Sequence, residues 1–197
     1  MSRRLPATRR RRQLLGVARR VFADRGFHDA SMNDIAEAAG VTKPVLYQHF
    51  ASKRELFSEV LGDVGNELQE AITKAVAAAQ TPHEMVDLGF AAYFRFVDEH
   101  RDAFQVLYGG GLGRDADFSK VVTQVENALA QLVADLIEIE GLTAGQRLLL
   151  GHGIVGMVEG ASRHWLRNNR DADPAALAHQ LADLAWRGLR GVRPDPA

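Results

Sequence analysis

The stretch SMNDIAEAAGVTKPVLYQHFASKRELF, residues 31–57, decides the fold of this 197-residue chain. Ser31 followed three residues later by Asp34 is typical of a helix N-terminus, and Gly40 is typical of a helix end. A second short helix is predicted from Thr42. Pro44 is compatible with its first turn, because the first backbone N–H groups of a helix have no intrahelical partner. The pattern therefore predicts two short helices joined by a tight turn.

The spacing of three residues in this stretch indicates a helix-turn-helix. Ala36 is small enough for two helices to touch, Gly40 accepts a positive φ, and Leu46 can close the second helix onto the first. An ordinary helical hairpin would also satisfy these three positions. The second helix, however, turns polar and basic residues outward: Thr42, Lys43, Pro44, Tyr47, Gln48 and His49. Together with the basic segment upstream, this favours DNA binding.

The charge of the chain is divided between its two ends. Residues 1–60 carry twelve Lys and Arg against six Asp and Glu, whereas residues 61–197 carry twelve against nineteen. Residues 1–20 hold eight arginines and no acidic residue. A solvated tail would have this composition, and so would an arm that binds DNA or a membrane surface.

The composition also restricts the class of protein. The sequence has no cysteine, which excludes disulfides, cysteine-ligated zinc and a thiol nucleophile. The apolar runs are too short to span a bilayer, and the N-terminus lacks the apolar core of a signal peptide. We therefore expect a soluble, cytoplasmic protein with an apolar core drawn from the 46% of residues that are hydrophobic.

The same stretch resembles the helix-turn-helix signature of the tetracycline-repressor (TetR) family of bacterial transcriptional regulators, above all in IAEAAGV and LYQHFASKREL. The match covers about residues 10–60. It implies an all-α fold of about nine helices, with an N-terminal three-helix DNA-binding domain and a C-terminal helical domain for ligand binding and dimerisation. It further implies a homodimer on a palindromic operator, usually a repressor that a small molecule releases from double-stranded DNA.

The helical periodicity and this resemblance together predict the domain boundaries. We expect a basic disordered arm over 1–8 and a DNA-binding domain over 9–55, with the helix-turn-helix at 31–50. A connecting helix over 56–80 would lead to the effector-binding and dimerisation domain at 81–192, and 193–197 would form a tail. No cofactor is expected.

Two groups of DNA-binding residues are predicted. The first turns of a recognition helix approach the base edges, so the base-reading candidates are Thr42, Lys43, Pro44 and Val45. The phosphate candidates are Ser31, Tyr47, His49, Lys53, Arg9 and Arg10. The resemblance gives Tyr47, His49 and Lys53 the same role. Ser31 could equally be a simple helix cap.

An aromatic stripe follows in the part of the chain where the resembling family keeps its effector cavity. Such a stripe is more often plain core, but a cavity there would be apolar and would favour a small hydrophobic effector. On a later helix, His152 and Glu159 share a face with Val155 and could bond an effector's polar end, form a buried contact or face solvent. The effector candidates are Phe90, Tyr93, Phe94, Phe104, Tyr108, Val125, His152, Val155 and Glu159.

The two last predicted helices carry several glycines. The segment GHGIVG at 151–156 is a literal G-x-G-x-x-G, but it lies within a helical pattern and has no preceding strand, so it does not indicate a dinucleotide site. A close helix approach is the better interpretation of Gly153, Gly156 and Gly160. The resemblance implies a dimer interface, with candidates Gly156, Gly160, His164, Trp165, Leu181, Leu184 and Trp186.

Other function classes have weaker support. No nucleophile elbow, P-loop or paired-carboxylate spacing is present, so we do not expect an enzyme. The histidines have no metal-ligand spacing, so no metal is predicted. The alternative to a regulator is a nucleic-acid or membrane-surface protein that binds through its arginine arm without sequence preference.

Overall fold

The computed structural model describes residues 6–108, 116–168 and 171–193, without the side chains of residues 107, 108 and 116. The described residues form nine α-helices and contain no strand, so the predicted all-α class is confirmed. Their bounds are α1 Ala7–Asp29, α2 Met32–Ala38, α3 Lys43–Tyr47, α4 Lys53–Val76, α5 Pro82–Glu99, α6 Arg101–Tyr108, α7 Ala116–Asp135, α8 Ala144–Asn168 and α9 Pro174–Gly191. The first residues of the predicted arm, 1–5, and most of the predicted tail, 194–197, lie outside the described residues.

The chain divides into two compact units. The first comprises residues 1–65 and 101–122, and the second comprises 66–100 and 123–197. Helices α4 and α7 each begin in the first unit and end in the second.

An aromatic cluster forms part of the core of the first unit. The Phe27 and Phe118 rings meet edge to face at 4.6 Å between centroids, and Phe57 contacts Phe22 at 4.8 Å and Phe118 at 4.7 Å. Edge-to-face contacts at such distances are favourable for aromatic rings. The cluster therefore packs α1, α4 and α7 together within the first unit.

Helix α1 departs from its predicted end. The sequence predicts a helix over about 9–23 that stops at Gly26. The helical segment instead extends to Asp29, with a break at Gly26, where φ is 75° and ψ is 169°. Glycine adopts this conformation without a Cβ clash, so the stop is present but one further turn follows it.

The helix start predicted at Ser31 and Asp34 is confirmed, and α8 and α4 begin with related caps. The Ser31 hydroxyl accepts a hydrogen bond from the Asp34 amide, and the Asp34 carboxylate accepts one from the Ser31 amide, which completes a capping box. Thr143 and Gln146 form the same arrangement at α8. Ser52 accepts from the Glu55 amide, but the Glu55 carboxylate reaches the Ala51 amide rather than that of Ser52. These local bonds fix the helix starts.

Helix α6 was not predicted from the sequence. It has eight residues, follows α5 after the single residue His100, and packs against α1. In the first unit, Asp102 of α6 accepts a hydrogen bond from the Arg19 side chain at 3.0 Å. Tertiary contacts with α1 therefore support a helix of only eight residues, which would be marginal in isolation.

In the second unit, α5 packs against α9 and α8. Phe94 of α5 lies 6.1 Å from the Trp165 ring of α8, and both side chains are almost fully buried. Helices α7 and α8 are in close contact at Gly151, where a Cβ would overlap the backbone carbonyl of Ala130. None of the described helices combines the length and the apolar character needed to cross a membrane.

Candidate DNA-binding surface and effector cavity

The turn between α2 and α3 has the geometry that the Ala36, Gly40 and Leu46 spacing predicts. Gly40 has φ 64°, its amide donates to the Glu37 carbonyl at 3.0 Å, and the Val41 amide donates to the Ala36 carbonyl at 2.9 Å. Ala36 and Leu46 are buried, with 3% and 0% of their surface exposed. A glycine is required here, because a side chain at positive φ would be strained.

Helix α3 presents its N-terminal end to solvent. Thr42 is the N-cap residue, yet its hydroxyl makes no capping hydrogen bond. Thr42, Lys43 and Pro44 are exposed, and Val45 is half-buried. This end of α3 therefore carries a hydroxyl, an ammonium and apolar carbons that can reach the edges of bases in a major groove.

The C-terminal side of α3 carries two of the predicted phosphate contacts. Tyr47 is exposed over 44% of its surface, unusually much for a large aromatic residue in this chain. His49 is half-buried beside the ring of Phe50. A phenol hydroxyl and an imidazole are both able to donate to phosphate oxygens.

Lys53 occupies a different environment from the one predicted. Its Nζ atom donates to the carbonyl oxygens of Phe27 at 2.7 Å, His28 at 3.1 Å and Ala30 at 2.7 Å. The same ammonium lies 4.5 Å from the centre of the Phe27 ring. Its three donors are therefore directed at the end of α1, where free carbonyls attract a cation.

Ser31 is also engaged within the protein. Its hydroxyl donates to Asp34 Oδ2 at 2.6 Å while it accepts from the Asp34 amide at 3.1 Å. A serine hydroxyl has one donor, so this donor is not free to bind a phosphate in the arrangement observed. The structure thus favours the capping role for Ser31.

The arginines near the N-terminus differ in their surroundings. Arg9 is exposed, and Arg10 donates to Gln13 at 2.8 Å, also on the surface. Arg11 forms an ion pair with Glu59 of α4 and lies 4.7 Å above the Phe50 ring. Arg11 therefore holds α1 against α4. Arg9, Arg12 and Arg20 are exposed cations of this helix, and Arg10 is half-buried.

The second unit contains an apolar cavity of roughly 320 Å³. Its size falls at the lower end of ordinary ligand pockets. Residues of α4, α5, α7, α8 and α9 line it, with the segment that follows α7: Ile72, Val76, Pro82, Met85, Val86, Gly89, Phe90, Tyr93, Leu129, Leu132, Val133, Leu136, Ile137, Glu138, Ile139, Ile154, Val155, Val158, Trp186, Leu189 and Arg190.

Three of the predicted effector residues line this cavity, namely Phe90, Tyr93 and Val155. The others do not. Phe94 packs in the core on Trp165, and Val125 is buried in α7 away from the lining. Phe104 is buried in the first unit, and His152 is exposed. Glu159 pairs with Arg163 at 2.6 Å. The side chain of Tyr108 lies outside the described residues.

The lining residues that were missed share a signal that the sequence does contain. Val86 belongs to the apolar stripe of α5, and Leu129 and Leu132 in α7 are at helical spacing with Leu136 just after its end. Residues of a plain core would show the same spacing. Which apolar stripes leave a space between them depends on how five helices pack. The contributions of Trp186 and Arg190, more than one hundred residues from Pro82 in sequence, had no local signal.

Burial changes the ionisation of two groups near the cavity. Burial raises the pKa of the Tyr93 phenol, which therefore stays neutral. Burial also raises the pKa of Glu159, against the opposing effect of Arg163. The Tyr93 hydroxyl and the neighbouring Ser162 hydroxyl are both buried, and in the described residues neither makes a hydrogen bond of good geometry.

The open side of the cavity carries a group of three stacked side chains. The Trp186 ring lies 4.9 Å from the His83 ring and 5.9 Å from the Arg190 guanidinium. Pro82, Glu138 and Arg190 are the exposed residues of the lining, and the last two are its only charged ones. The cavity is therefore apolar inside and charged where it opens.

The predicted dimer-interface residues fall into two groups. Gly156, Gly160, His164 and Leu184 are exposed, and Leu181 is half-buried. Trp165, by contrast, is 2% exposed within the core, and Trp186 lines the cavity. A Cβ on Gly153, Gly156 or Gly160 would meet nothing within 4 Å, so the close approach within the chain is at Gly151 instead.

In the described part of the chain, no group of three His, Cys, Asp or Glu is arranged to hold a metal ion.

Two family models match the chain. Residues 14–60 match the bacterial regulatory proteins of the tetR family, and residues 82–188 match the tetracyclin repressor-like C-terminal domain.

Known proteins match over most of their length. The HTH-type transcriptional activator FasR of Mycolicibacterium smegmatis is 33% identical over 96% of this chain and 87% of its own. The HTH-type transcriptional repressor KstR2 of Rhodococcus jostii is 32% identical over 94% of this chain and 80% of its own. The crystal structure of the regulator FadR from Bacillus subtilis, in complex with stearoyl-CoA, shares the fold with a TM-score of 0.77, at 18% identity over 92% of this chain and 99% of that one. The chain belongs to the TetR family of helix-turn-helix transcriptional regulators, as its sequence motif predicts.

Proposed function

We propose that the chain binds a palindromic operator as a homodimer and that a small hydrophobic effector changes its affinity for that operator. The observation that carries the proposal is the exposed N-terminal end of α3 beyond a glycine turn, in the same chain as an apolar cavity. In this proposal α3 enters the major groove with its first residues toward the bases.

Two sets of residues would divide the work on DNA. Thr42, Lys43 and Pro44, with Val45 beside them, would choose the sequence, because Lys43 can donate to guanine and the carbons can contact a thymine methyl. Tyr47, His49, Arg9 and Arg10 would bind flanking phosphates without regard to sequence. Lys53 and Ser31 would contribute mainly by holding helices in place, since their donors are engaged within the chain.

A second copy of the chain would provide the second α3 that a palindromic operator requires. The outward faces of α8 and α9 expose Leu149 over 72% and Leu184 over 59% of their surface, beside the open glycines Gly156 and Gly160. Apolar residues exposed in this way are often covered by a partner. To contact successive major grooves, the two copies of α3 in such a dimer must lie about 34–36 Å apart.

The cavity supports an effector with a long apolar part. Its lining is almost entirely aliphatic and aromatic, and the related FadR fold holds stearoyl-CoA. Helix α4 provides both Leu56 of the DNA-binding unit and the cavity residues Ile72 and Val76. An effector that prefers one position of α4 would shift the population of DNA-binding conformations.

Repression is the mode of regulation that the family resemblance favours, and KstR2 is named a repressor. FasR is named an activator, so the position of the operator relative to the promoter would decide whether binding represses or activates transcription. Such a regulator would act in the bacterial cytoplasm, on the nucleoid. Binding without sequence preference through the arginine segment is the alternative function.

Selection of bound sequences from random DNA tests this proposal. A single palindrome with half-sites about one helical turn apart is expected, and footprinting of that sequence should protect both half-sites. Recovery of unrelated sequences, competed equally by nonspecific DNA, would instead support the alternative.

A further inference from the structure

The polarity of the cavity lining changes from one end to the other. Its exposed residues are Pro82, Glu138 and Arg190, whereas its deeply buried ones include Phe90 and Val158. Along α5, the lining runs from Pro82 to Tyr93, a rise of about 16 Å at the usual 1.5 Å per residue. The cavity thus accepts an elongated apolar group whose outer end emerges among charged side chains.

Arg190 is the cation at this opening. Its guanidinium lies over Trp186 and has no carboxylate within ion-pair distance among the described residues. Its neighbours on α9 differ in this respect, because Arg187 is paired with Asp183 at 2.8 Å. Arg193, three residues further on, donates to the Arg190 carbonyl and adds a second positive charge at the end of α9.

The aromatic part of the opening strengthens the argument. The His83 and Trp186 rings, inclined to each other by 39°, form a partly exposed aromatic surface that the first methylenes of a chain can contact. Two carboxylates are nearby: Glu138 in the lining, and Asp87, which lies 3.9 Å from His83. An anionic group would therefore be accepted on the Arg190 side of the opening and repelled on the Glu138 side.

We propose that Arg190 and Trp186 form a head-group site, and that the effector is an amphiphile that enters tail first and leaves its anionic end at Arg190. This inference rests on the proposed effector role of the cavity. The anion is either the carboxylate of a free fatty acid or the phosphates of an acyl thioester, and both present the same chemistry of an aliphatic tail with a negative end. Arginine binds either anion through its planar fork of donors.

Calorimetric titration of the full-length protein with three ligands of one chain length tests the site. The ligands are decanoate, decanoyl-CoA and the uncharged decanol. Decanol should bind more weakly than at least one anionic ligand. Arg190→Gln should remove that difference, because it lowers the affinity for the anionic ligand roughly threefold to tenfold. The ligand that loses more affinity in Arg190→Gln identifies the source of the charge. Glu138→Gln should tighten anion binding.

Matched controls separate this site from general effects. Arg187→Gln removes an equal charge from the same helix, one turn away and outside the lining, and should leave all three affinities unchanged. Val86→Trp fills the cavity from α5 and should abolish binding of all three ligands. Trp186 is one of only two tryptophans, and its fluorescence should change when an anionic ligand binds.

Three outcomes would overturn the inference: decanol binds as tightly as the anions, Arg187→Gln and Arg190→Gln lose the same affinity, or none of the three ligands binds. Operator binding of the same preparation is measured in parallel. If the protein selects a palindrome but shows one of these outcomes, the head-group site is wrong and the DNA-binding function stands.

Discussion

The ammonium of Lys53 lies 2.7 Å from the carbonyl oxygen of Phe27 and 4.5 Å from the centre of its ring. This contact joins the first residue of α4 to the end of α1. The two short helices α2 and α3 lie between these residues in the sequence. A residue that the family resemblance assigns to phosphate binding therefore connects the start of α4 to the end of α1.

Lys53→Met should lower the thermal midpoint, because three carbonyls at the end of α1 lose their charged donor, at a cost of about 1–3 kcal/mol. Affinity for all DNA sequences should fall alike. The slope of log affinity against log salt should nevertheless stay unchanged. For comparison, Arg9→Gln should keep the midpoint and reduce the slope by about 1.8 for the dimer, which is about 0.9 for the one phosphate contact of each subunit. If Lys53→Met instead shows a normal thermal midpoint and a reduced salt slope, Lys53 is a phosphate-binding residue.

Lys43→Ala should change which operator sequence is preferred, because we propose that this exposed ammonium at the start of α3 contacts base edges. Loss of a good base contact costs about 1–3 kcal/mol at the base pair concerned. Tyr47→Phe removes only a hydroxyl and should weaken binding to all sequences equally. A gel-shift panel of operator variants separates the two effects, and the reverse pattern would refute the division of roles.

The contribution of Asp34 to stability should depend on pH. Hydrogen bonds from the Ser31 side chain and backbone lower the pKa of this carboxyl, so the charged form favours the folded state. That contribution is present above the unfolded pKa of about 4 and is lost as the pH falls through the folded pKa. Asp34→Asn should therefore melt below the wild type at pH 7, with a difference that shrinks below about pH 4. A difference that stays constant down to pH 3 would contradict this assignment.

Gly151→Ala should destabilise the protein by more than 1 kcal/mol, because the new Cβ would overlap the Ala130 carbonyl and force α7 and α8 apart. Gly153→Ala is the matched control two residues away, where a Cβ meets nothing within 4 Å. There alanine should stabilise the helix by up to about 1 kcal/mol. Chemical denaturation measures both, and equal effects would argue against the close approach of α7 and α8.

Leu184→Glu should convert the proposed dimer to a monomer, because it places a charge on an exposed apolar position of α9. Sedimentation velocity measures the change in mass, and operator affinity should fall with it. Arg187→Gln on the same helix serves as a control for surface substitution. If the Leu184→Glu variant remains fully dimeric, the dimer interface does not include Leu184.

Local chemistry let the sequence by itself determine the helix class and most helix starts. Ser31 with Asp34, Thr143 with Gln146, and Asp173 before Pro174 satisfy backbone groups only a few residues away, so their bonds can be read from spacing. Gly40 likewise needs positive φ for a reason that lies within its own turn. The family signature and the outward side of α3 follow from the same short stretch.

Only the tertiary structure decided the contacts between residues far apart in the chain. Lys53 is a strong phosphate candidate by motif, but the end of α1 lies within reach of its ammonium and engages all three donors. Trp165 stands on a helix predicted at the interface, yet it packs against Phe94 inside the second unit. The cavity joins Pro82 to Arg190, because packing of several helices leaves space between apolar stripes that look alike in sequence. Burial and pairing depend on which helix faces meet, and the helical period does not encode that choice.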